Sequence, residues 1–325
     1  MKRDQKVIVV GAGIMGSMIA AKLRDVGAEV TLLDAGFAGQ ATRASGGMLA
    51  PTSEARSIPS SWRVQAQVSL KLWQEWLQRF EKLGVDVGYI PGLGHAAMSM
   101  QEAQQHRTSG QWQQDHPDHP HGMAFFPEEG SVDPEQVLRA LHLLCPVTPA
   151  EVTTLHVDER NVTLKTTAGS MQSDQVVLAC GAWTSRFGVE VQARQGQALL
   201  LEGQHVDHAL YKGRGYLVPR GGSTFVGATD IETWDVTPTR GARKTLLAYA
   251  HQHRPASVQS RVLDHKVGLR PYRSEPFVGP HPTLRNVLVA TGHHRNGVLL
   301  APVTAQVVTG LFMQASQGSY GAPVH

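Results

Sequence analysis

Apolar residues at the start of the chain fall into two short runs on either side of a glycine loop. Residues 7–10 form a continuous apolar run, which is typical of a strand buried on both faces of a parallel sheet. Residues 14–26 follow the glycine loop with apolar side chains at helical spacing and end at Gly27. Residues 30–34, VTLLD, then predict a second strand. The chain therefore opens with a complete βαβ unit.

Three further segments predict helices. The first predicted helix has Gly84 as its C-terminal cap. One face of this helix carries Val68, Leu72, Trp76, Leu77, Phe80 and Leu83. Trp73 and Trp76 in this helix are expected to be packing residues. Residues 133–144 have Asp133 as N-cap, Pro134 at the first position and Gln136 completing a capping box. Residues 240–253 predict the third helix.

The remaining pattern predicts strands. Residues 151–157, 161–167 and 175–183 each read as a strand, and from residue 196 apolar and polar residues alternate, which favours a mostly antiparallel sheet. Residues 265–272, 275–280 and 286–292 predict the last strands. Residues 101–130 are rich in Gln, His, Pro and Asp and predict surface loop or irregular structure.

These patterns interleave along the chain, so one domain is expected to interrupt the other. The predicted fold class is α/β, a Rossmann-like dinucleotide-binding domain with an interleaved antiparallel-sheet substrate domain. The nucleotide domain is assigned to residues 1–83, 133–193 and 274–325, and the substrate domain to residues 84–132 and 194–273.

Composition and charge exclude several classes of protein. The formal net charge is only +3 in 325 residues, without charged runs, so nothing indicates nucleic-acid binding. Two cysteines cannot form a disulfide framework, which favours a reducing compartment. No signal peptide and no run of transmembrane length is found in the sequence, so a cytoplasmic protein without integral membrane association is expected.

The glycine loop carries the first candidate chemistry. Gly11 would permit a tight turn, Gly13 would let a pyrophosphate approach the backbone, and Gly16 would allow close packing of helix on strand. Asp34, at the end of the next strand, would accept hydrogen bonds from ribose hydroxyls, which argues against NADP. The alternative is a glycine turn used only for packing. Dinucleotide binding is favoured, and this motif alone leaves NAD and FAD open.

Three stretches favour FAD. Residues 41–51, ATRASGGMLAP, are small, glycine-rich and basic, suited to pass close to a flat extended ligand. Residues 175–183 form a buried strand that ends in small residues. At such a turn the chain can cross a long cofactor a second time. Residues 290–310 place His293, His294, Arg295 and Asn296 before an apolar helix. Such a helix N-terminus, aimed at a flavin, would stabilise the negative charge of the reduced ring.

With these pieces in view, the chain resembles the D-amino-acid oxidase superfamily of flavoenzymes, and most closely the glycine oxidase family of thiamine biosynthesis. The matching stretches occur in the family's order over nearly the whole chain: VIVVGAGIMGS, SGGML, VVLACGAW, YLVPR with FVGAT, VGLRP and GHHRNGVLLAP. The resemblance implies a glutathione-reductase-type FAD-binding domain and FAD as the cofactor.

The resemblance also implies roles for individual residues. Arg270 corresponds to the arginine that binds the substrate carboxylate through its planar fork, Tyr216 to a tyrosine that helps to hold it, and Arg295 to a second arginine of the site. The residues that would hold FAD are Gly11, Gly13, Ile14, Met15, Gly16, Asp34, Ala35, Ala41, Thr42, Arg43, Ser45, Gly46, Gly47, Met48, Val152, Cys180, Gly181, Trp183, His293, His294, Arg295, Asn296, Gly297, Val298 and Leu299. No metal ligand is implied.

The implied reaction is oxidative deamination of glycine or another small amino acid or amine. A hydride passes from the alpha carbon to flavin N5, water hydrolyses the imine, and dioxygen is reduced to hydrogen peroxide. Alternatives are a dehydrogenase of the same fold that acts on a D-amino acid or secondary amine and uses another electron acceptor, a flavin-binding structural subunit, and an NAD-dependent enzyme. A homo-oligomer is expected.

Some residues depart from the family's pattern or have plainer explanations. Asp230 and Arg214 replace residues usual near the substrate, which puts strict glycine preference in doubt, and neither cysteine lies where sarcosine oxidases bind flavin covalently. Cys180 is expected to be a small buried residue beside the adenosine end of FAD. Glu128 and Glu129 are expected to be surface charges. His116, His119 and His121 form a histidine tract in which prolines disfavour a tetrahedral metal site, so a solvated loop is predicted.

Overall fold

The computed structural model describes residues 5–107, 110–114, 119–158 and 161–316. Within these ranges the helices are α1 (Ile14–Asp25), α2 (Arg63–Lys82), α3 (Met100–His106), α4 (Pro134–Leu144), α5 (Arg240–His253) and α6 (Gly297–Ser316). The strands are β1 (Lys6–Val10), β2 (Glu29–Asp34), β3 (Met48–Leu49), β4 (Ile90–Ala96), β5 (Gln111–Gln113), β6 (Met123–Ser131), β7 (Val147–Pro149), β8 (Val152–Val157), β9 (Val162–Thr166), β10 (Gly169–Ser173), β11 (Gln175–Leu178), β12 (Gln192–Glu202), β13 (Ala209–Lys212), β14 (Gly215–Arg220), β15 (Ser223–Gly227), β16 (Ile231–Glu232), β17 (Val262–Pro280) and β18 (Val287–His293).

The chain divides into two compact units that interleave in sequence. Unit 1 comprises Met1–Ala38, Leu138–Ala193 and Arg270–His325, and unit 2 comprises Gly39–Val137 and Arg194–Leu269. These boundaries differ from the predicted functional domains, because residues 39–83 belong to unit 2. The hydrophobic pattern predicted α2 as a helix but did not indicate the unit against which it packs. Which parts of the chain act as cofactor domain and substrate domain remains a prediction.

Unit 1 is built on a mostly parallel sheet. The strands lie in the order β7, β2, β1, β11 and β18, all parallel, followed by the end of β17, which is antiparallel to β18. The pairing of β1 with β2 confirms the βαβ unit. Apolar residues from these strands, including Ile8, Leu33 and Val289, pack into one core with the small sheet of β8, β9 and β10. On this frame α1 packs against α6.

Unit 2 is built on a mostly antiparallel sheet. Strands β12, β15, β14 and β13 are antiparallel neighbours, as the alternating pattern predicts, and β13 then pairs in parallel with β4. One face packs against α5 through residues such as Leu217, Val226 and Leu246. The opposite face carries Tyr216, Val218 and Phe225 together with Met48 and Ala50.

The prediction that residues 101–130 form surface loop is wrong for most of this segment. Helix α3 and strands β5 and β6 lie within it, and β6 pairs with β4. The polar composition misled because β6 lies near one end of the sheet and contains both exposed and buried residues, without a regular alternation. His119 is buried, so the solvated loop is wrong there as well, whereas His116 lies outside the described residues.

Helix α2 is present, but its buried face differs from the predicted one. The buried residues are Ala66, Ser69, Trp73, Trp76 and Phe80, whereas Val68 is 41% exposed and Leu83 is 38% exposed. The two tryptophans are packing residues, as predicted. The small residues Ala66 and Ser69 face the core because they permit close approach, a choice that hydrophobicity alone does not indicate.

One helical segment, His294–Ala315, is long and apolar enough to cross a membrane by length and composition, although the sequence pattern predicted no such run. Within the described part of the chain it is the one helix of this kind, and 61% of its apolar window is buried inside the protein. That burial is typical of the core helix of a globular unit, and its packing against α1 accounts for much of its apolar surface.

Candidate functional site

The glycine loop between β1 and α1 has the close backbone packing that its glycines predict. Gly11 has φ of +103°, and a Cβ at this position would lie 2.5 Å from the carbonyl oxygen of Ala179. A Cβ on Gly16 would overlap the carbonyl oxygen of Gly11. Gly13 is the N-cap of α1, and the first turn of α1 contains no acidic residue. No side-chain charge of the loop or first turn therefore opposes an anion at this helix N-terminus.

Asp34 anchors the glycine loop as well as ending β2. Its Oδ2 accepts a hydrogen bond from Ala12 N at 2.7 Å, and its Oδ1 accepts one from Gly36 N at 2.7 Å. Each carboxylate oxygen has two acceptor positions, so these bonds are compatible with the predicted contact to ribose hydroxyls. Ala35, next in the chain, is exposed.

His142 also supports the glycine loop, through a contact that no sequence pattern indicates. Its Nε2 lies 3.2 Å from Ser17 Oγ and 3.3 Å from the carbonyl oxygen of Ala12, while Ser17 Oγ donates to the same carbonyl at 3.1 Å. Helix α4 is thereby tied to the turn between β1 and α1. The contact joins residues more than a hundred positions apart, so no local pattern could indicate it.

The segment after β11 adjoins this loop. The Cys180 thiol donates to the carbonyl oxygen of Val10 at 3.2 Å, and burial, followed by the charge of Asp34, raises the pKa of Cys180 to about 12. This thiol therefore stays protonated near neutral pH, and Cys180 is half-buried, not fully buried as predicted. Gly181 has φ of +57° and open space at its Cβ position, and the Trp183 ring lies 5.6 Å from that of Phe37. Val152 is buried in the unit 1 core, so a cofactor contact there would use its backbone.

The end of β18 leads into the last helix through a short helical turn, His294–Asn296. The imidazole of His293 is buried, and its Nε2 lies 3.1 Å from Thr304 Oγ1 in α6. Burial lowers the pKa of His293 to about 3, so this histidine is neutral near neutral pH. Gly297, Val298 and Leu299 open α6 without an acidic residue, which leaves the positive end of its dipole next to this turn.

Arg270 and Arg295 lie at the same end of one strand pair. Strand β17 pairs with β18 so that Tyr272 is opposite His293. Arg270 precedes Tyr272 by two residues and Arg295 follows His293 by two residues, and both arginines are half-buried. The rings of Tyr272 and His294 meet edge to face at 5.0 Å between centroids. The structure thus brings two of the three predicted catalytic residues to one end of this hairpin.

Residues 41–48, the predicted flavin loop, lie in unit 2. The loop begins with a helical turn, Thr42–Ala44, that follows Ala41. Arg43 is exposed and donates to Gln40. Gly47 has φ of +73°, its N–H donates to Ser45 Oγ at 3.1 Å, and its carbonyl accepts from Val132 N at 3.0 Å. Met48, in β3, is buried in the core below Tyr216.

Tyr216 is held in a tightly packed position in unit 2. A Cβ on Gly46 would lie 2.6 Å from Cε2 of Tyr216, and a Cβ on Gly227 would overlap the same ring. On a third side the ring is stacked on Phe225 at 6.4 Å. The third predicted catalytic residue therefore contacts the predicted flavin loop directly.

Tyr216 belongs to a polar row that crosses four strands. The pairing places His95 opposite Tyr211, Tyr211 opposite Tyr216, and Tyr216 opposite Gly227, so these residues share one face of the sheet. The His95 ring contacts Tyr211 at 4.9 Å, and Glu102 Oε1 lies 3.5 Å from His95 Nε2. Sequence reasoning missed His95 and Tyr211 because strand pairing, not spacing, aligns them with Tyr216.

Arg220 lies on the same face and was also missed. Its Nη2 donates to the carbonyl oxygens of Ser45 at 3.3 Å and of Gly46 at 3.0 Å. The residue lies four positions after Tyr216 in the same strand, and alternation puts positions 216, 218 and 220 on one face. This two-residue spacing was the sequence signal that could have placed Arg220 on the same face as Tyr216.

The prediction that Glu129 is a surface charge is wrong. Glu129 is buried, and its carboxylate accepts hydrogen bonds from the backbone N–H groups of Thr52 and Ser53 and from Ser53 Oγ. Burial raises its pKa, and these hydrogen bonds oppose the rise. Glu129 therefore anchors the turn that follows the flavin loop.

Asp230 and Arg214, the two departures from the expected pattern, are both exposed. Arg194 Nε donates to Asp230 Oδ1 at 3.0 Å, so the charge of Asp230 is balanced within unit 2. The described residues contain no group of three or more His, Cys, Asp or Glu side chains that could hold a metal ion.

A parallel sheet with a glycine turn, a helix N-terminus and an acidic residue ending the second strand defines a dinucleotide-binding protein. A model of the FAD dependent oxidoreductase family matches residues 6–311. The chain belongs to this family.

Individual relatives agree. The chain is 31% identical to a bifunctional protein ThiO/ThiG of Synechocystis sp., covering 96% of this chain and 52% of that protein. It therefore spans about half the length of that relative. It is 29% identical to a glycine oxidase of Bacillus subtilis over 96% of this chain and 94% of the relative. The crystal structure of glycine oxidase from Geobacillus kaustophilus superposes with a TM-score of 0.87 at 26% identity, covering 96% and 95% of the two chains.

The residues present fit FAD. The carbonyl oxygens packed around Gly11 and Gly16 leave no room for side chains in the turn, and the N-terminus of α1 has no acidic residue in its first turn. Asp34 argues against a 2'-phosphate. The protein is thus an FAD-dependent oxidoreductase with the fold of a glycine oxidase, which confirms the fold class and the cofactor predicted from sequence.

Proposed function

We propose that the protein catalyses FAD-dependent oxidative deamination of glycine or another small amino acid or amine. The observation that carries this proposal is the contact between Tyr216 and Gly46, which joins a side chain suited to hold a carboxylate to the loop suited to hold the flavin. The similarity to glycine oxidases over 96% of the chain supports the same substrate class. The similarity to ThiO/ThiG proteins supports a place in thiamine biosynthesis.

In this proposal the protein's own part is to position the substrate. Arg270 binds the substrate carboxylate through two parallel charge-assisted hydrogen bonds, and the Tyr216 hydroxyl donates a further bond to it. Arg295 adds positive charge at the same end of the β17–β18 hairpin as Arg270. A carboxylate fixed in this way sets the direction of the alpha carbon.

Bound FAD would supply the hydride acceptor at N5, with dioxygen as the final oxidant. The substrate gives up a hydride and a proton to become an imine, and water hydrolyses the imine to an oxo acid and ammonia. No side-chain base is needed when the amine binds in its neutral form, so orientation provides most of the protein's contribution. The positive N-terminus of α6 favours an electron-rich ring nearby.

The remaining parts of the proposal concern partners and setting. A small amino acid or amine and dioxygen are the molecules that the enzyme takes. The low net charge does not favour nucleic-acid binding, and the burial of His294–Ala315 does not favour integral membrane association. We propose a homo-oligomer in the cytoplasm, the latter because two unpaired cysteines suit a reducing compartment.

An anaerobic experiment tests the reaction. Glycine, sarcosine, D-alanine, D-proline and a longer D-amino acid are added separately to the oxygen-free yellow protein, and bleaching of the flavin band is recorded. We expect glycine or another small amine to bleach it, and Arg270→Ala to remain yellow but unbleached. Loss of FAD from Arg270→Ala would contradict the assignment of Arg270 to substrate.

Admitting air identifies the electron acceptor. Stoichiometric hydrogen peroxide with rapid return of the yellow colour is expected for an oxidase. Slow reoxidation by air together with fast reduction of an artificial dye would instead identify a dehydrogenase. If no amine bleaches the flavin, the proposed function is wrong.

A further inference from the structure

Arg220 is a buried cation at the end of β14 that the proposed reaction does not use. Its guanidinium binds the carbonyl oxygens of Ser45 and Gly46 and lies over the Phe225 ring, with 4.5 Å from Cζ to the ring centroid. The side chain is only 9% exposed. A charge in such a place loses most of its hydration, so it is retained in a folded protein only where it has suitable partners.

The counter-charge of Arg220 is weak for so buried a group. Asp133 Oδ2 lies 4.0 Å from Arg220 Nε, and Asp133 Oδ1 accepts from Glu135 N at the start of α4. Burial lowers the pKa of Arg220, although the charge of Asp133 opposes this effect. The two carbonyl groups, at 3.3 and 3.0 Å, are therefore closer to the guanidinium than the Asp133 carboxylate is.

We infer that Arg220 is a positioning residue for FAD, which holds the loop of residues 45–47 in the shape that receives the flavin. The loop contains two consecutive glycines, and glycines lose more conformational freedom on ordering than other residues do. The C=O and N–H groups of a trans peptide point in opposite directions. A cation that holds the carbonyls of Ser45 and Gly46 on one side thus directs the N–H of Gly46 to the other side, while the N–H of Gly47 donates to Ser45 Oγ and closes the loop.

The same contact acts on the Tyr216 ring. Gly46 packs on that ring, so a shift of the Gly46 carbonyl moves the surface against which Tyr216 rests. Arg220 and Tyr216 extend from the same face of β14, which fixes the spacing between the cation and the ring. Removal of Arg220 should consequently loosen the loop first and the tyrosine second.

Arg254 offers a matched control within unit 2. Its Nε donates to the carbonyl oxygen of His205 at 3.2 Å and its Nη1 donates to that of His253 at 2.7 Å, so it is also a guanidinium bound to two backbone carbonyls. It lies at the C-terminal end of α5, and its carbonyl partners are not in residues 45–47. Its removal tests the general cost of losing such a contact.

The experiment measures FAD binding without any amine substrate. Purified wild type, Arg220→Met, Arg220→Lys and Arg254→Met are stripped of FAD, and each apoprotein is titrated with FAD while flavin fluorescence and the visible spectrum are recorded. Amide hydrogen exchange of the peptide that contains residues 45–48 is measured on the same samples. Circular dichroism establishes that each variant is folded.

We expect Arg220→Met to bind FAD about tenfold more weakly or worse, since hydrogen bonds from a charged group are stronger than those between neutral groups. The amide hydrogens of its loop peptide should exchange faster than in the wild type. Arg220→Lys should have an FAD affinity and an exchange rate between those of Arg220→Met and wild type, and Arg254→Met should bind FAD as wild type does. If Arg220→Met does not fold, Arg220→Lys carries the test by the same two readouts.

Wild-type affinity and wild-type exchange in Arg220→Met, or in Arg220→Lys where that variant carries the test, would overturn the inference. An equal loss of affinity in Arg254→Met would overturn it too, since the effect would then be general destabilisation. The inference rests on FAD binding and not on the proposed substrate. A protein that binds FAD through Arg220 but is bleached by no amine would refute the proposed function alone.

Discussion

Gly16 illustrates how much of the cofactor site depends on the absence of single side chains. A Cβ at this position would overlap the carbonyl oxygen of Gly11 and lie 3.2 Å from the Ala179 side chain. The first overlap involves backbone, which cannot move aside without displacing α1 from β1. The motif therefore sets the distance between helix and strand, and with it the position of the helix N-terminus.

Replacement of this glycine should separate cofactor binding from ordinary helix stability. Gly16→Ala should cost about 1–3 kcal/mol of unfolding free energy through overpacking and weaken FAD binding. The matched control is Gly310→Ala in α6, where a Cβ meets nothing within 4 Å. Gly310→Ala should stabilise the helix by about 0.5–1 kcal/mol and leave the FAD dissociation constant unchanged. Chemical denaturation and FAD titration give both values, and wild-type FAD affinity in Gly16→Ala would contradict this role.

At the residue scale the sequence predicts local chemistry well and long-range contacts poorly. The roles of Gly11 and Gly16 follow from a turn in which all partners are close in sequence or in the adjacent strand. Glu129, Arg220 and His142 bind groups from 76 to 175 positions away, so their partners depend on the complete fold. A buried charge and a surface charge look alike in sequence until strand pairing is known.

Helix α6 is the element whose start would matter most for the flavin. The bond between His293 Nε2 and Thr304 Oγ1 spans eleven positions and ties the turn before the helix to a residue well inside it. The imidazole is buried and its pKa is lowered to about 3 because burial disfavours the charged form. Folding thus requires this histidine to be neutral.

This requirement predicts an acid-sensitive fold. Between pH 6.5 and about 3 the unfolded chain binds a proton at His293 while the folded chain does not, so stability falls as pH falls through that range. The contribution is up to about 1.4 kcal/mol per pH unit. His293→Gln should show a shallower decrease of melting temperature between pH 7 and pH 4. The comparison ends near pH 4 because many carboxylates titrate at about that pH and below.

The control for that series is the exposed His156 of β8. His156→Gln should have the same dependence of melting temperature on pH as the wild type. If His293→Gln follows the wild-type curve as closely as this control does, the buried histidine does not cause the acid sensitivity.

At the element scale, periodicity is reliable where one face is buried and unreliable where a strand pairs at the border of a sheet. Helix α5 has the predicted bounds, and β12, β14 and β15 have the predicted antiparallel pairing. Strand β17 is continuous where two strands were predicted, because its central residues stay extended through a register shift. Strand β6 was missed because its neighbours, not its composition, make it a strand.

For the whole molecule, bound FAD should be a large part of measured stability. A ligand that binds only the folded state adds about 2.7 kcal/mol to the unfolding free energy at one hundred times its dissociation constant. Removal of FAD should therefore lower the melting temperature, and added FAD should restore it. NAD at the same concentration should not, and restoration by NAD would contradict the assignment of the cofactor.

The two compact units interleave in sequence, and the assignment of cofactor and substrate domains within them stays a prediction. A glycine loop at the start and a helix at the end of the chain both belong to unit 1, with alternating strands between them. The boundaries depend on which unit α2 and residues 39–62 pack against. Hydrophobic spacing does not indicate that unit. The family resemblance covers the whole chain and likewise marks no boundary.

The strand order of unit 1 has a consequence for biosynthesis. Strand β1 leaves the ribosome first, but its neighbour β11 begins at residue 175, and β18, next to β11, begins at residue 287. At about 5–20 residues per second this delay is on the order of tens of seconds. Until residue 178 is made, the edge of β1 that pairs with β11 is open, and until β18 is made the edge of β11 is open in turn, so translation arrested before residue 287 should yield aggregation-prone chains that require chaperones.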